Sequence, residues 1–160
     1  MTGKKVKLET NHGDIIISLY DDMPVTAGNI EKLVSEAFYN EIIFHRIIDG
    51  FMIQVGCPQG TGTGGPGYTI KDEFVKGHSN VRGTVAMANT GQPDTGGSQF
   101  FVNLGDNSYL NWDNTSTPYK HPVFGEVTEG MDVVDKMAKL PTDASDRPKK
   151  EAKILKATII

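Results

Sequence analysis

The chain has only one cysteine, Cys57, among its 160 residues, so no internal disulfide can form and no repeated Cys-x-x-Cys spacing exists for a structural metal. Its four histidines are scattered, not paired at ligand spacing, and neither a metal site nor a cofactor is expected. Long apolar runs are missing as well. The opening MTGKKVKLETNHGD turns polar within a few residues, and nothing approaches the length of a membrane span or of the hydrophobic stretch of a secretory leader. The expectation is a reducing, cytoplasmic setting with no membrane partner, in which the sequon-like Asn114-Thr115-Ser116 reads as a plain polar loop. Positive charge is not in excess: 16 Lys and Arg stand against 20 Asp and Glu, a formal charge of −4 that disfavours a phosphate-backbone ligand. Nucleic acid is therefore not an expected partner. No internal repeat, low-complexity tail or linker divides the chain, and residues 1–160 read as one domain able to bury a core without disulfide staples.

Short β-prone runs dominate what is present. Val6–Thr10 and Asp14–Leu19 flank Asn11-His12-Gly13 as a first hairpin, and further strands are expected at Tyr68–Ile70, Thr84–Ala88, Gln99–Val102, Val123–Val127 and Ala152–Ile160. Two segments change period. From Pro24 to Phe38, Ile30, Leu33, Val34 and Ala37 follow helical spacing, with Asp21 and Asp22 just before the start. From Met131 to Leu140, Met131, Val134, Met137 and Ala138 form a second helical stripe that Pro141 stops. Many strands with two separated helices and no βαβα rhythm suit an antiparallel barrel or sandwich whose open ends the helices cover.

The stretch FHRIIDGFMIQ, Phe44–Gln54, places an arginine inside a hydrophobic hairpin. An unpaired guanidinium cannot be withdrawn from water without large cost, so Arg46 must reach solvent or line a cleft. A two-residue Asp49-Gly50 loop would set Arg46 across from Ile53. A three-residue loop through Phe51 pairs Ile48 with Met52 and Arg46 with Gln54, which gives the arginine an acceptor, and this register is preferred. Other polar residues also interrupt apolar strands: Asn89 ending VAMAN, Gln99 opening QFFV, and His121 before PVFG. Taken singly, each reads most simply as satisfying backbone groups. Together with the nearby Phe51, Met52, Phe101, Tyr109 and Leu110 they describe one polar-rimmed, apolar-floored groove.

Three other chemistries fit the residues less well. GTGTGGPG contains a formal Gly-x-Gly-x-x-Gly at Gly62, Gly64 and Gly67, but it runs through Pro66 into the strand-like YTIKDEF without the following helix that a phosphate loop requires. Ser98 in TGGSQFF lacks the nucleophile elbow of a hydrolase, and serine before an apolar strand is usually a turn residue. Cys57 has no basic neighbour in sequence and reads as an inert thiol.

FHRIIDGFMIQ, the glycine loop before YTIKDEF, VAMANTGQPDTGGSQFFVNLGDNSYL and KHPVFGEVTEGMDVVDKM closely resemble, in order and across nearly the whole chain, the cyclophilin-type peptidyl-prolyl cis-trans isomerases. The resemblance implies a mainly β fold: a closed eight-stranded antiparallel β-barrel capped by two α-helices, with a groove on the outer face for a proline-containing peptide. It implies catalytic roles for Arg46 and Gln54, the second steadying the guanidinium of the first. Substrate-binding roles fall on Phe51, Met52, Ala88, Asn89, Gln99, Phe101, Tyr109, Leu110 and His121. Partners would be proline-containing peptides and unfolded protein clients, met by a monomer. Tyr109 stands where the best-known eukaryotic members carry tryptophan, so cyclosporin is expected to bind more weakly. The segment NWDNTSTPYK between Leu110 and His121 is longer than in those members, Trp112 is an alternative inward aromatic to Tyr109, and the Gly60–Gly67 loop is trimmed. A module that only holds proline segments, and a hydrolase using Ser98 or His121, are the competing readings.

Overall fold

Strict alternation of side chains along short strands gives this chain one sheet with an apolar inner face. The computed structural model describes residues 4–114, 118 and 120–160; Thr115 and Ser116 of the sequon and part of the longer segment before His121 lie outside them. The strands are β1 (Lys5–Thr10), β2 (Gly13–Leu19), β3 (Phe44–Ile48), β4 (Met52–Val55), β5 (Thr84–Met87), β6 (Phe100–Asn103), β7 (Val123–Glu129) and β8 (Ile154–Ile159). Helices α1 (Thr26–Ser35) and α2 (Met131–Ala138) follow β2 and β7. All strand pairings are antiparallel, in the order β3-β4-β6-β5-β7-β2-β1-β8. Residues such as Ile15, Ile17, Ile53, Val85, Phe100 and Phe124 fill the interior together with Leu33 of α1 and Met137 of α2. Each helix thus buries its apolar stripe against the sheet, which stabilises it more than intrinsic helix propensity does.

The expected closed barrel requires correction, because the ladder is open between β3 and β8. The two strands approach at one end only, where the Phe44 amide donates to the Ala152 carbonyl at 2.7 Å and the Ile154 amide to that of Ile42 at 2.9 Å. Beyond this point the β3 edge is taken by the chain after α2: the Ile47 amide donates to the Asp146 carbonyl at 2.8 Å, while β8 continues along β1. A connecting segment therefore occupies the edge that closure would need.

Two elements differ from expectation. Tyr68–Ile70 makes only a single bridge, Ile70 to Gly96. Just beyond, the carboxylates of Asp72 and Asp94 each accept the other's main-chain amide, which turns the chain out of strand geometry. Helix α1 ends at Ser35, before Phe38. Ala37 takes φ +60°, and the Phe38 amide donates to the Leu33 carbonyl, a left-handed termination that the apolar spacing does not reveal.

Candidate functional site

The hairpin adopts the three-residue loop, with Ile48 opposite Met52 and Arg46 opposite Gln54. Gly50 supplies φ +79° and the Phe51 amide donates to the Ile48 carbonyl at 3.0 Å. Upstream the pairing slips by one between Phe44 and Arg46, so His45 is an extra residue on β3. This bulge leaves Phe44 and His45 both buried while Arg46 points outward. Register across four strands then builds a row on the outer face: Arg46, Gln54, Phe101 and Ala86 stand side by side. Met52, Ala86, Phe101, Leu110 and Val123 form a second apolar cluster outside the barrel interior, with Phe51 and Ala88 packed against it.

That cluster floors a cleft of about 420 Å³ lined by ten of the eleven residues named from sequence: Arg46, Phe51, Met52, Gln54, Ala88, Asn89, Phe101, Tyr109, Leu110 and His121. Thr90 and Gly91 also line it and were missed, because a polar turn after a strand carries no signal separating lining from connection. The eleventh residue, Gln99, lines an adjoining hollow of about 500 Å³ under the glycine loop, which shares Gln54, Ala88, Asn89 and Thr90 with the first. One wall is Phe51, with Tyr109 parallel to it at 6.4 Å and 17°. The other is His121, edge-on to Phe101 at 5.3 Å. Trp112 stacks on Phe74 at 5.7 Å and is not part of the cleft; of the two aromatics Tyr109 is the one that lines it, as an exposed residue.

Among the described residues the Arg46 guanidinium has no hydrogen-bond or ion-pair partner, which leaves its donors free at the cleft. A direct bond from the Arg46 guanidinium to Gln54 is the sequence expectation, and it is absent among the described residues. Gln54 donates its Nε2 to Gln99 Oε1 at 2.9 Å, and Gln99 in turn donates to the carbonyls of Gly62 and Gly64, both at 2.9 Å. This chain of amides fixes the sense of the Gln54 amide and leaves its Oε1 as the group available to Arg46. Asn89 spends its side chain locally, Nδ2 on the Lys120 carbonyl at 2.8 Å and Oδ1 accepting from the Gly91 amide at 3.0 Å. Its own main-chain N–H and C=O have no partner among the described residues.

Burial lowers the pKa of His121, against the opposing effects of the Met87 carbonyl and Asp72. Because that carbonyl can only accept, Nδ1 of the neutral ring carries the proton it donates at 2.9 Å, and Nε2 is an acceptor. Ser98 is buried and donates Oγ to the Gly56 carbonyl at 2.7 Å, with no histidine or carboxylate partner, so the geometry of an activated serine is not present. Cys57 is fully buried, as an inert thiol is, although its neighbours shift its pKa. Burial raises its pKa, but hydrogen bonds from the Gly64 amide, the Thr61 hydroxyl and the Gly62 amide outweigh that and bring the thiol down to about 7.

Residues 5–159 match the family described as cyclophilin type peptidyl-prolyl cis-trans isomerase. A peptidyl-prolyl cis-trans isomerase of Acinetobacter baylyi is 44% identical over 163 residues, covering 96% of this chain and 84% of the relative. Peptidyl-prolyl cis-trans isomerase B of Escherichia coli is 43% identical, covering 96% and 98%. The crystal structure of a Cryptosporidium parvum cyclophilin type isomerase superposes with a TM-score of 0.90 at 32% identity, over 98% of this chain and 97% of that one. A structure of the same kind in the presence of the dipeptide Ala-Pro gives 0.89 at 31% identity, covering 98% of each chain.

Proposed function

The chain belongs to the cyclophilin-type peptidyl-prolyl cis-trans isomerases, and we propose that it accelerates X-Pro rotation by directing the unpartnered Arg46 guanidinium at the prolyl nitrogen of a peptide held in the cleft. Amide resonance sets a barrier of about 18–20 kcal/mol, and moving from tens of seconds to milliseconds needs roughly 5–6 kcal/mol of preferential stabilisation of the twisted amide. No bond has to break. At the twisted geometry the nitrogen becomes pyramidal and recovers a lone pair, which a fixed cationic donor can bond and which neither planar isomer offers.

The single observation that carries this reading is a free arginine on the same row as an apolar floor, beside an amide acceptor whose other end is tied down. In it, Gln54 Oε1 receives the guanidinium once the peptide closes the cleft, with Gln99 as its support. Phe51, Met52, Phe101 and Leu110 surround the pyrrolidine ring. The free main chain of Asn89 pairs with the peptide and holds one side of the bond while the other rotates, Ala88 packs beneath it, and Tyr109 and His121 form the rim. The C. parvum structure obtained in the presence of the dipeptide Ala-Pro supports proline-containing peptides and unfolded clients as the ligand class. Cyclosporin binding weaker than in tryptophan-bearing members, a monomeric state and a reducing cytoplasmic setting for the free Cys57 complete the proposal.

Arg46→Ala is the test. Turnover of a proline tetrapeptide, followed by NMR exchange, should fall at least about tenfold, while peptide affinity falls much less. Equal losses in both would favour a module that merely holds proline segments, and cleavage of the peptide seen by mass spectrometry would favour a hydrolase.

A further inference from the structure

The Phe51 wall and the His121 wall are joined through a line of buried amide side chains. Asn107 donates both Nδ2 protons, one to the Phe51 carbonyl and one to Asn103 Oδ1, each at 2.9 Å. Asn103 donates its own two to Asn80 Oδ1 and Thr84 Oγ1, each at 3.0 Å. Asn80 sends its two to the His121 carbonyl at 3.1 Å and to Asn111 Oδ1 at 3.0 Å. Asn80 and Asn103 are wholly buried, and Asn107 is 5% exposed. Every amide proton of the three has an acceptor, and donation runs one way, from Asn107 through Asn103 to Asn80. Flipping any one amide would set two NH₂ groups or two oxygens against each other, so the line has a single low-energy arrangement.

Three buried amides are an unfavourable way to fill space that valine or leucine could occupy, unless the bonds they make are needed. What these bonds reach is the main chain on opposite sides of the cleft. We propose that Asn80, Asn103 and Asn107 are positioning residues that set the separation of the Phe51 and His121 walls and hence the width of the proline pocket. This rests on the reading that the cleft takes a proline peptide, and none of the three touches that peptide.

Asn103→Val tests it, because valine suits strand β6 and is only about a methylene larger, while the central link is removed. On folded protein well below its melting temperature, we expect peptide affinity to weaken by about threefold to tenfold, with turnover falling too. NMR amide shifts should move at both Phe51 and His121, neither of which Asn103 contacts by hydrogen bond. Leu33→Ala in α1 is the stability control: it should lower the melting temperature and leave affinity per folded molecule unchanged. Should Asn103→Val fail to fold, Asn107→Ser, at the outer end of the line with one donor retained, decides by the same readouts. Unchanged affinity and turnover in a folded variant would overturn the positioning role. Failure of the unaltered protein to bind or isomerise proline peptides would overturn the underlying reading instead.

Discussion

Removing the Glu73 carboxylate should loosen the first turn of α1 from a distance of almost fifty residues in sequence. The first donors of that helix are accounted for almost one by one. Pro24 has no N–H, the Val25 and Thr26 amides donate to Glu73 Oε2 and Oε1 at 3.0 and 2.8 Å, and the Ala27 amide reaches the Met23 carbonyl at 2.8 Å. No acidic residue lies in the first turn itself. In Glu73→Ala two amides lose their acceptor, and Thr26 is 1% exposed, so water cannot readily take the carboxylate's place there. Loss of a cap costs about 0.5–2 kcal/mol and loss of an anion at a helix N-terminus about 0.3–1 kcal/mol, so about 2 kcal/mol is expected in sum. For a chain of this size that lowers the melting temperature by about 4–8 °C, read by circular dichroism. Glu73→Gln keeps one acceptor oxygen without the charge and should lose about half as much. Because α1 packs on the barrel interior away from the cleft, turnover well below the transition should stay within about twofold of the unaltered protein. A melting temperature within about 1 °C of the original, or equal losses for the two variants, would refute this capping account.

Burial lowers the pKa of both His121 and His45, with Arg147 and Arg46 adding to the effect at His45, so NMR titration should place both midpoints below the ordinary histidine value of 6.5. The unfolded chain then binds more protons than the folded one as pH falls below 6.5; the stability these rings contribute is complete above that value and lost through their lowered folded midpoints, and His121→Gln should flatten this acid limb. Gly56 holds φ +112°, and a Cβ there would lie 2.3 Å from the Ser98 carbonyl oxygen, so Gly56→Ala should cost about 3 kcal/mol or more in chemical denaturation. Gly50, at φ +79° with open space around it, should accept asparagine at a cost under about 1 kcal/mol.

Local pattern carried far in this chain, for a physical reason. Side-chain alternation and turn chemistry are short-range, so the Arg46 to Gln54 register, the eight strands and two helices and the apolar floor could be reached from runs of a few residues. What could not be reached depends on long-range pairing. Asp21 and Asp22 precede α1 and looked like its acid, yet Asp22 bonds His78 at 2.8 Å and the capping carboxylate comes from Glu73. Gln54 sits opposite Arg46 as expected, but its amide goes to Gln99, whose partner in turn is the glycine loop. Asn80, Asn103 and Asn107 carry no local signal that singles them out; only the fold aligns them. Closure of the barrel failed for the same reason: which segment wins the free edge of β3 is decided by Asp146, far along the chain.

The odd count of the Asp49–Phe51 turn has an outcome of its own. β4 is clamped between β3 and β6, whereas β3 has a full partner on one flank only, so closing the turn over Asp49 and Gly50 alone, with Ile48 against Phe51, would slide β3 by one place and leave β4 where it is. Inside and outside would then trade places along that strand: the guanidinium would swing into the oily interior and Ile47 out to the surface. Parity in a three-residue bend thus decides whether this protein has an arginine to offer a passing peptide at all.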